Sequence, residues 1–124
     1  MANPKTVILV VEDNPIIRMG AVDMVMSGGF EALEANDADE AIQILEARSD
    51  IRLVFTDVNM PGDMDGIKLT HYIRNRWPPV GLIVASGQAV IKQVDLPGGA
   101  IFFGKPYDEA LMIRTIREML EPIH

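Results

Sequence analysis

Short apolar runs alternate along this chain with segments in which apolar residues recur every three or four positions. The first run, TVILVV at residues 6–11, is apolar or β-branched throughout, which is typical of a strand covered on both faces. Similar runs predict four further strands, at residues 30–35, 51–57, 80–86 and 98–104. The segments between them carry helical periodicity, so strand and helix alternate along the chain.

The first predicted helix has signals at both of its ends. Asn14 and Pro15 suit the N-cap and the first helical position, and Gly28-Gly29 suits the end. We expect its buried stripe to consist of Ile17, Ala21, Met24 and Val25. Ile16 and Met19 lie off that stripe and are candidates for docking a partner protein, although single exposed apolar residues are common.

The remaining helices are predicted over residues 37–48, 64–76, 88–94 and from residue 108 onward. Asp37 with Glu40 makes a capping box for the first of them. Trp77-Pro78-Pro79 stops the next, because the residue before a proline disfavours helical backbone angles. Asp108 caps the last helix, whose inward residues are predicted to be Ile113, Ile116 and Leu120.

Five strand–helix units with short connections indicate an α/β fold, in which a parallel sheet carries helices on both faces. The length of 124 residues favours a single domain. Its net charge of −7 disfavours direct nucleic-acid contact and favours metal cations or basic protein surfaces. The absence of cysteine excludes disulfides and fits a cytoplasmic protein, and the apolar runs are too short for a membrane span.

Polar residues stand at the carboxyl ends of four predicted strands. Glu12-Asp13 follows the first strand, and Asp57 ends the third. Ser86 ends the fourth strand, and Lys105 follows the fifth. Ligands of open parallel sheets bind at the carboxyl ends of the strands, where the strand order reverses. We therefore expect these side chains to converge on one edge of the sheet.

The residue types at this edge suit phosphoryl chemistry. Three crowded carboxylates repel one another, and a magnesium ion would remove the conflict. Lys105 and Ser86 could then neutralise the oxygens of a transferring phosphoryl group. Asp57 is the natural nucleophile, because carboxylates are known covalent acceptors of phosphoryl groups.

With this ordered set of residues, the sequence resembles the receiver domains of two-component response regulators over nearly its whole length. The matching residues are Glu12-Asp13, Asp57, Met60-Pro61, Gly66, Ser86 and Lys105-Pro106. The resemblance implies a flavodoxin-like fold, with a five-stranded parallel sheet in the order 2-1-3-4-5 and helices on both faces. It also implies one receiver domain over residues 1–124, without an output domain.

The resemblance further implies a role for each residue of the site. Asp57 accepts phosphate from the phosphohistidine of a sensor histidine kinase or a histidine phosphotransfer protein. Asp13 binds Mg²⁺ directly, Glu12 acts more through water, and the backbone carbonyl of Asn59 completes the protein ligands. Lys105 pairs with the phosphate, and the bond from Lys105 to Pro106 is cis.

The resemblance also implies a switch. Ser86 moves towards the phosphoryl group, Phe102 changes rotamer with it, and Asn59 and Gln88 tune dephosphorylation. A downstream protein or a fused output domain reads the change, and phosphorylation can produce a homodimer. Such a protein catalyses only its own phosphorylation and dephosphorylation, and it needs no contact with nucleic acid or membrane.

The chain departs from the commonest family pattern at several positions. The loop NMPGDMDG at residues 59–66 is one residue longer than the usual form, which leaves the placement of its acids open. Phe102 replaces the commoner tyrosine, so any signal that it carries must be steric. Val58 stands where some relatives have tryptophan, and Trp77 lies beside two prolines in a predicted loop.

Three other functions are compatible with parts of the pattern. A pseudo-receiver would share the fold and act as an adaptor without being phosphorylated. An aspartyl-intermediate phosphatase usually has a second acid two residues after its nucleophile, where this chain has Asn59. A flavodoxin-type flavin carrier would need a phosphate-binding loop rich in serine, threonine or glycine after the first strand, and none is present.

Overall fold

The computed structural model describes residues 5–60, 62, 64–87 and 95–121. Its strands are β1 (Val7–Val11), β2 (Glu31–Ala35), β3 (Ile51–Asp57), β4 (Gly81–Ser86) and β5 (Ile101–Gly104). The helices described there are α1 (Pro15–Ser27), α2 (Ala38–Ala47), α3 (Gly66–Arg76) and α4 (Glu109–Leu120). The alternation of strand and helix is therefore confirmed from β1 to β4 and from β5 to α4. The helix predicted over 88–94 lies outside the described residues.

All five strands run parallel in one sheet, in the order β2-β1-β3-β4-β5, which confirms the predicted topology. The register brings the carboxyl ends of the central strands to the same level. Paired positions near that level are Val11 with Thr56, Asp57 with Ala85, and Ser86 with Gly104. The residues that follow β1, β3 and β5 therefore leave the sheet side by side.

Alternate residues of β1 enter two different cores. Val7, Leu9 and Val11 belong to a cluster shared with α2 and α3. Ile8 and Val10 belong to a second cluster, shared with α1 and α4. The sheet is thus covered on both faces, as the uninterrupted apolar run of β1 predicts, and each fully buried side chain of this size stabilises the fold by about 1.5–3 kcal/mol.

The ends of α1 follow the predicted capping. The side-chain oxygen of Asn14 accepts hydrogen bonds from the backbone N–H groups of Ile16 and Ile17, at 2.9 and 3.2 Å. Gly28 closes the helix, and Gly29 has a φ of +93°, a conformation that glycine adopts at little cost.

The predicted stripe of α1 is wrong at one position, because Ile17 is 49% exposed. Ala21, Met24 and Val25 are buried as expected. Ile17 belongs to the first turn, which stands above the carboxyl edge of the sheet, so no strand is available to cover it.

The other helices begin at predicted caps, with small differences. Asp37 caps α2, but the side chain of Glu40 accepts its hydrogen bond from the N–H of Asn36, one residue before the cap. Asp65 caps α3, which begins at Gly66 rather than at residue 64. In α4, Ile116 is fully buried, whereas Ile113 and Leu120 are only partly buried.

The last strand starts later than its apolar pattern predicts. β5 begins at Ile101 rather than at residue 98, because Gly98 and Gly99 form a turn in which Gly99 has a φ of +83°. In the described part of the chain, no helix is both long and apolar enough to cross a membrane.

Candidate functional site

Three carboxylates meet where β1 and β3 end. One oxygen atom each from Glu12, Asp13 and Asp57 lies within 4.8 Å of the others. The side chains of Glu12 and Asp57 are buried, and Asp13 is half-buried. The structure thus brings together the acids that the sequence places at the ends of separate strands.

Lys105 supplies the positive charge of this cluster. Its ammonium nitrogen lies 2.8 Å from Oδ1 of Asp57 and 3.5 Å from Oε1 of Glu12. A backbone hydrogen bond of 2.9 Å, from the N–H of Lys105 to the carbonyl of Ser86, fixes the start of the loop after β5. The peptide bond between Lys105 and Pro106 is cis, as the resemblance implies.

Burial and neighbouring charges shift the pKa values of two of these groups. Burial raises the pKa of Glu12, and the negative charge of Asp57 raises it further. A hydrogen bond from the N–H of Asn14 and the attraction of Lys105 offset part of this rise. Burial alone would lower the pKa of Lys105, but its hydrogen bond and attraction to Asp57 outweigh burial and leave that pKa raised. Lys105 is therefore a cation at neutral pH.

The position of Asp57 depends on a close contact with the start of α3. The N–H of Gly66 donates to the carbonyl of Val58 at 2.9 Å. A Cβ atom at residue 66 would collide with the backbone carbonyl group of Asp57 and with Val58. The N–H of Val58 in turn donates to the carbonyl of Ala85 in β4, at 3.2 Å. Glycine at residue 66 thus lets α3 begin directly against the strand end that carries Asp57.

Backbone hydrogen bonds also shape the turn after β1. The N–H of Glu12 donates to the carbonyl of Ala35 at 3.1 Å, which continues the pairing of β1 with β2 by one residue. The side chain of Glu12 then accepts from the N–H of Asn14, at 3.1 Å. The carboxylate of Glu12 is consequently held by the residue that caps α1.

Arg18 is a site residue that the sequence analysis missed. Its guanidinium donates to the backbone carbonyl of Glu12 at 2.8 Å, to the carboxylate of Glu34 at 3.0 Å and to the side-chain oxygen of Asn36 at 3.1 Å. These acceptors lie on the turn after β1 and at the end of β2. No periodicity or local motif points to Arg18, because two of its three partners are distant in sequence.

The proposed switch residues have well-defined environments. Ser86 is buried at the end of β4. Phe102 is half-buried, lies opposite Val84 in the sheet and packs against the core cluster on the α2–α3 face. Asn59 is exposed, two residues beyond Asp57. Gln88, Pro61 and Asp63 lie outside the described residues, and the side chain of Asp65 caps α3.

An apolar surface lies next to the acidic cluster. Ile16 is 79% exposed and Met19 is 63% exposed, which confirms that both lie off the buried side of α1. At the same end of α1, a groove is lined by Ile17, Lys105, Pro106, Tyr107 and Glu109. The groove connects this part of α1 with the loop that carries Lys105.

The donor atoms suit a small divalent cation. Carboxylate oxygens are hard ligands, and Mg²⁺ typically takes one or two of them while keeping several waters. Asp13 is accessible to solvent, so those waters have room on its side of the cluster. The cluster fits magnesium better than a soft metal, since none of the three side chains offers sulfur or imidazole.

Comparison with known proteins assigns the family. The profile of the response regulator receiver domain matches residues 8–120. The chain is 38% identical over 113 residues to the response regulator protein FleR of Pseudomonas aeruginosa. The matched region covers 88% of this chain and 23% of that protein. It is 36% identical over 118 residues to the sensor kinase CckA of Brucella abortus, covering 92% of this chain and 12% of the kinase. The chain thus spans less than a quarter of either relative.

Solved structures agree with this assignment. A response regulator receiver protein from Pseudomonas putida superposes with a TM-score of 0.84 at 28% identity, covering 94% of this chain and 99% of that one. The receiver domain of the hybrid histidine kinase CckA superposes with a TM-score of 0.78 at 31% identity, covering 93% and 99%. Sequence, fold and strand order therefore agree: this chain belongs to the family of response regulator receiver domains, the receivers of two-component signalling systems.

Proposed function

We propose that the chain is a phosphoacceptor switch, in which Asp57 takes a phosphoryl group from a phosphohistidine in a Mg²⁺-dependent reaction. One observation carries the proposal. A buried carboxylate at a strand end lies 2.8 Å from a lysine ammonium and within 4.8 Å of two further carboxylates. This arrangement offers a nucleophile, a cation and hard oxygen ligands within a few ångströms.

The transfer exchanges one bond for another at phosphorus. A carboxylate oxygen of Asp57 bonds to the phosphorus as the bond between phosphorus and the imidazole nitrogen breaks. The imidazole of the donor keeps the electron pair of that bond, and the product is an acyl phosphate on Asp57. In hydrolysis, water bonds to the phosphorus, the carboxylate of Asp57 leaves, and inorganic phosphate is released.

The neighbouring residues support this step electrostatically. The Lys105 ammonium donates a hydrogen bond to Asp57, and the backbone of Lys105 is fixed by its hydrogen bond to Ser86. During transfer the same ammonium can donate to the phosphoryl oxygens, which then carry the negative charge. Glu12, Asp13 and the backbone carbonyl of Asn59 would hold Mg²⁺, with Asp57 as a further ligand. When bound, this ion neutralises charge on the transferring group and offsets the repulsion among the three acids.

The readout proceeds through Ser86 and Phe102. Added charge at Asp57 favours a conformation in which the Ser86 hydroxyl donates to the phosphoryl group, and Phe102 then repacks against the vacated space. A phenylalanine transmits this change through its shape alone. The phosphate donor is a sensor histidine kinase or a histidine phosphotransfer protein. The receptor of the signal is a downstream protein, an output domain of the same chain or a second copy, in the cytoplasm.

The test is phosphorylation by a small acyl phosphate in the presence of Mg²⁺, followed by intact-protein mass spectrometry. We expect one phosphoryl group per chain, its loss in the D57N variant and its loss when EDTA replaces Mg²⁺. Asp23 is exposed on α1, so D23N is the matched control and should be phosphorylated normally. Magnesium binding without any mass increase in the wild-type protein would instead identify an adaptor that is not phosphorylated.

A further inference from the structure

Arg18 connects the ends of two strands to the first helix. Its side chain projects from α1 and reaches the carbonyl oxygen of Glu12 at 2.8 Å. The same guanidinium contacts Glu34 and Asn36, at the end of β2 and just beyond it, at 3.0 and 3.1 Å. An arginine is suited to such a place, because its planar fork can serve several acceptors at once while a lysine presents a compact charge.

The contact with Glu12 has a special consequence for the acidic cluster. The carbonyl of Glu12 belongs to the peptide unit that joins Glu12 to Asp13, so Arg18 holds the orientation of the plane from which Asp13 projects. On the other side of Glu12, its N–H is held by the carbonyl of Ala35 at 3.1 Å. Hydrogen bonds therefore fix both the N–H and the carbonyl of Glu12, the residue immediately before Asp13.

We infer that Arg18 is a positioning residue for the metal site: it fixes the Glu12–Asp13 peptide so that Asp13 presents its carboxylate beside Asp57. This inference rests on the proposed Mg²⁺-dependent function. Groups that orient metal ligands through hydrogen bonds commonly change metal affinity by about 10- to 100-fold when they are removed. Arg18 would act in this way through the backbone, without touching the ion.

Whether Mg²⁺ affinity rises or falls when Arg18 is replaced distinguishes positioning from a purely electrostatic effect. A guanidinium near the acidic cluster repels a divalent cation, so charge alone predicts that the R18Q variant binds Mg²⁺ more tightly than the wild type. Positioning predicts the opposite, weaker binding. R18K retains the charge but loses the fork, so charge alone predicts no change, whereas positioning again predicts weaker binding.

The experiment measures the Mg²⁺ dissociation constant of the wild type, R18K and R18Q by isothermal titration calorimetry. We expect both variants to bind about tenfold more weakly or worse, with melting temperatures of the metal-free proteins close to that of the wild type. E34Q is the matched control, because it removes the ion pair with Arg18 while leaving the contact with Glu12 in place. We expect its Mg²⁺ affinity to stay within about twofold of the wild-type value, since the Glu34 carboxylate is exposed and such a pair contributes little.

A second readout distinguishes positioning from loss of chemistry. The rate of phosphorylation by a small acyl phosphate should need more Mg²⁺ in R18K but reach the wild-type maximum at saturating Mg²⁺. A wild-type Mg²⁺ affinity in R18K overturns the inference. An R18K protein that does not fold without metal also overturns it, because Arg18 would then stabilise the fold instead of positioning Asp13. If the wild type itself does not bind Mg²⁺, the proposed function fails instead.

Discussion

The ammonium nitrogen of Lys105 lies 2.8 Å from Oδ1 of Asp57, although Asp57 ends β3 and Lys105 follows β5. Its second carboxylate partner, Glu12, is more distant at 3.5 Å. The lysine is thus closer to the proposed phosphoacceptor than to its neighbour, and its loop is fixed by the hydrogen bond between its N–H and the carbonyl of Ser86. This placement favours a role in stabilising charge on the group that reacts at Asp57.

Replacing this lysine should therefore separate phosphorylation from metal binding. In K105Q we expect phosphorylation by a small acyl phosphate to slow by about 100-fold, since a preorganised charge partner of the reacting group is lost. Magnesium affinity should rise or stay the same, because a competing cation has been removed. Rapid-quench phosphorylation and calorimetry measure the two effects, and K68Q, on the exposed surface of α3, is the control. A parallel loss of metal affinity and rate would contradict this role.

Two helical glycines should respond in opposite directions to alanine. G66A places a Cβ against the backbone of Asp57 and Val58, so we expect a loss of about 1–3 kcal/mol of unfolding free energy. Gly20 lies inside α1, and a Cβ atom added there would meet no atom within 4 Å beyond its own helix, so G20A should stabilise the protein by about 0.5–1 kcal/mol. Urea denaturation measures both. An equal gain in unfolding free energy for G66A and G20A would show that helix propensity, and not the contact with Asp57, determines the effect of alanine at residue 66.

Features carried by regular repetition could be predicted from the sequence. The strands, their burial and the convergence of Glu12, Asp13, Asp57 and Lys105 all follow from apolar runs that end in polar residues. A parallel α/β sheet leaves the carboxyl ends of its strands on a single edge, so the site follows from the fold class.

Features that depend on where an element stops could not be predicted in this way. The stripe of α1 fits helical spacing at Ile17, yet this residue is exposed because the helix begins above the sheet. Arg18 looks like an ordinary surface arginine in the sequence, and its role depends on the end of β2 lying beside the turn after β1. Helical periodicity contains neither piece of information.

The raised pKa of Glu12 makes stability and metal binding depend on pH. Burial raises this pKa in the folded protein above the ordinary glutamate value. Between the two values the folded state binds more protons than the unfolded state, so the free energy of unfolding of the metal-free protein falls as pH rises through this window. Metal binding requires the ionised carboxylate, so Mg²⁺ affinity should weaken when pH falls into the same window.

Comparison with E12Q isolates this contribution. In EDTA, the wild type should lose stability relative to E12Q as pH rises through the window, as measured by urea denaturation. A constant difference between the two proteins across that window would mean that Glu12 titrates as an ordinary glutamate. Lys105 gives a separate signal at alkaline pH: because its pKa is raised, the stability it contributes is complete below the ordinary lysine pKa and is lost as pH rises through the raised value.

The exposed start of α1 should affect transfer from a kinase but not transfer from a small molecule. Ile16 and Met19 are exposed at the start of α1, the part of the helix in which Ile17 lines the groove that contains Lys105. I16S and M19S should therefore slow phosphorylation by a cognate histidine kinase or phosphotransfer protein. Phosphorylation by an acyl phosphate should be unchanged, because neither side chain belongs to the acidic cluster. Met26 is 55% exposed at the other end of α1, which makes M26S the matched control. Equal slowing by all three variants would rule out this docking surface.

Trp77 should report little on the state of the acidic cluster. It precedes β4 and packs under the guanidinium of Arg76, 4.9 Å from the ring centroid. Asp57 stands at the opposite edge of the sheet, and the six residues of β4 separate the two edges by roughly 20 Å. Saturating Mg²⁺ should therefore change the tryptophan fluorescence of the wild type only slightly. In V58W, a tryptophan next to Asp57 should respond strongly to the same titration. A large EDTA-reversible quench in the wild type would show that the loop of Trp77 is coupled to the metal site. It would contradict the expectation that Mg²⁺ binding alters only the structure around Asp57.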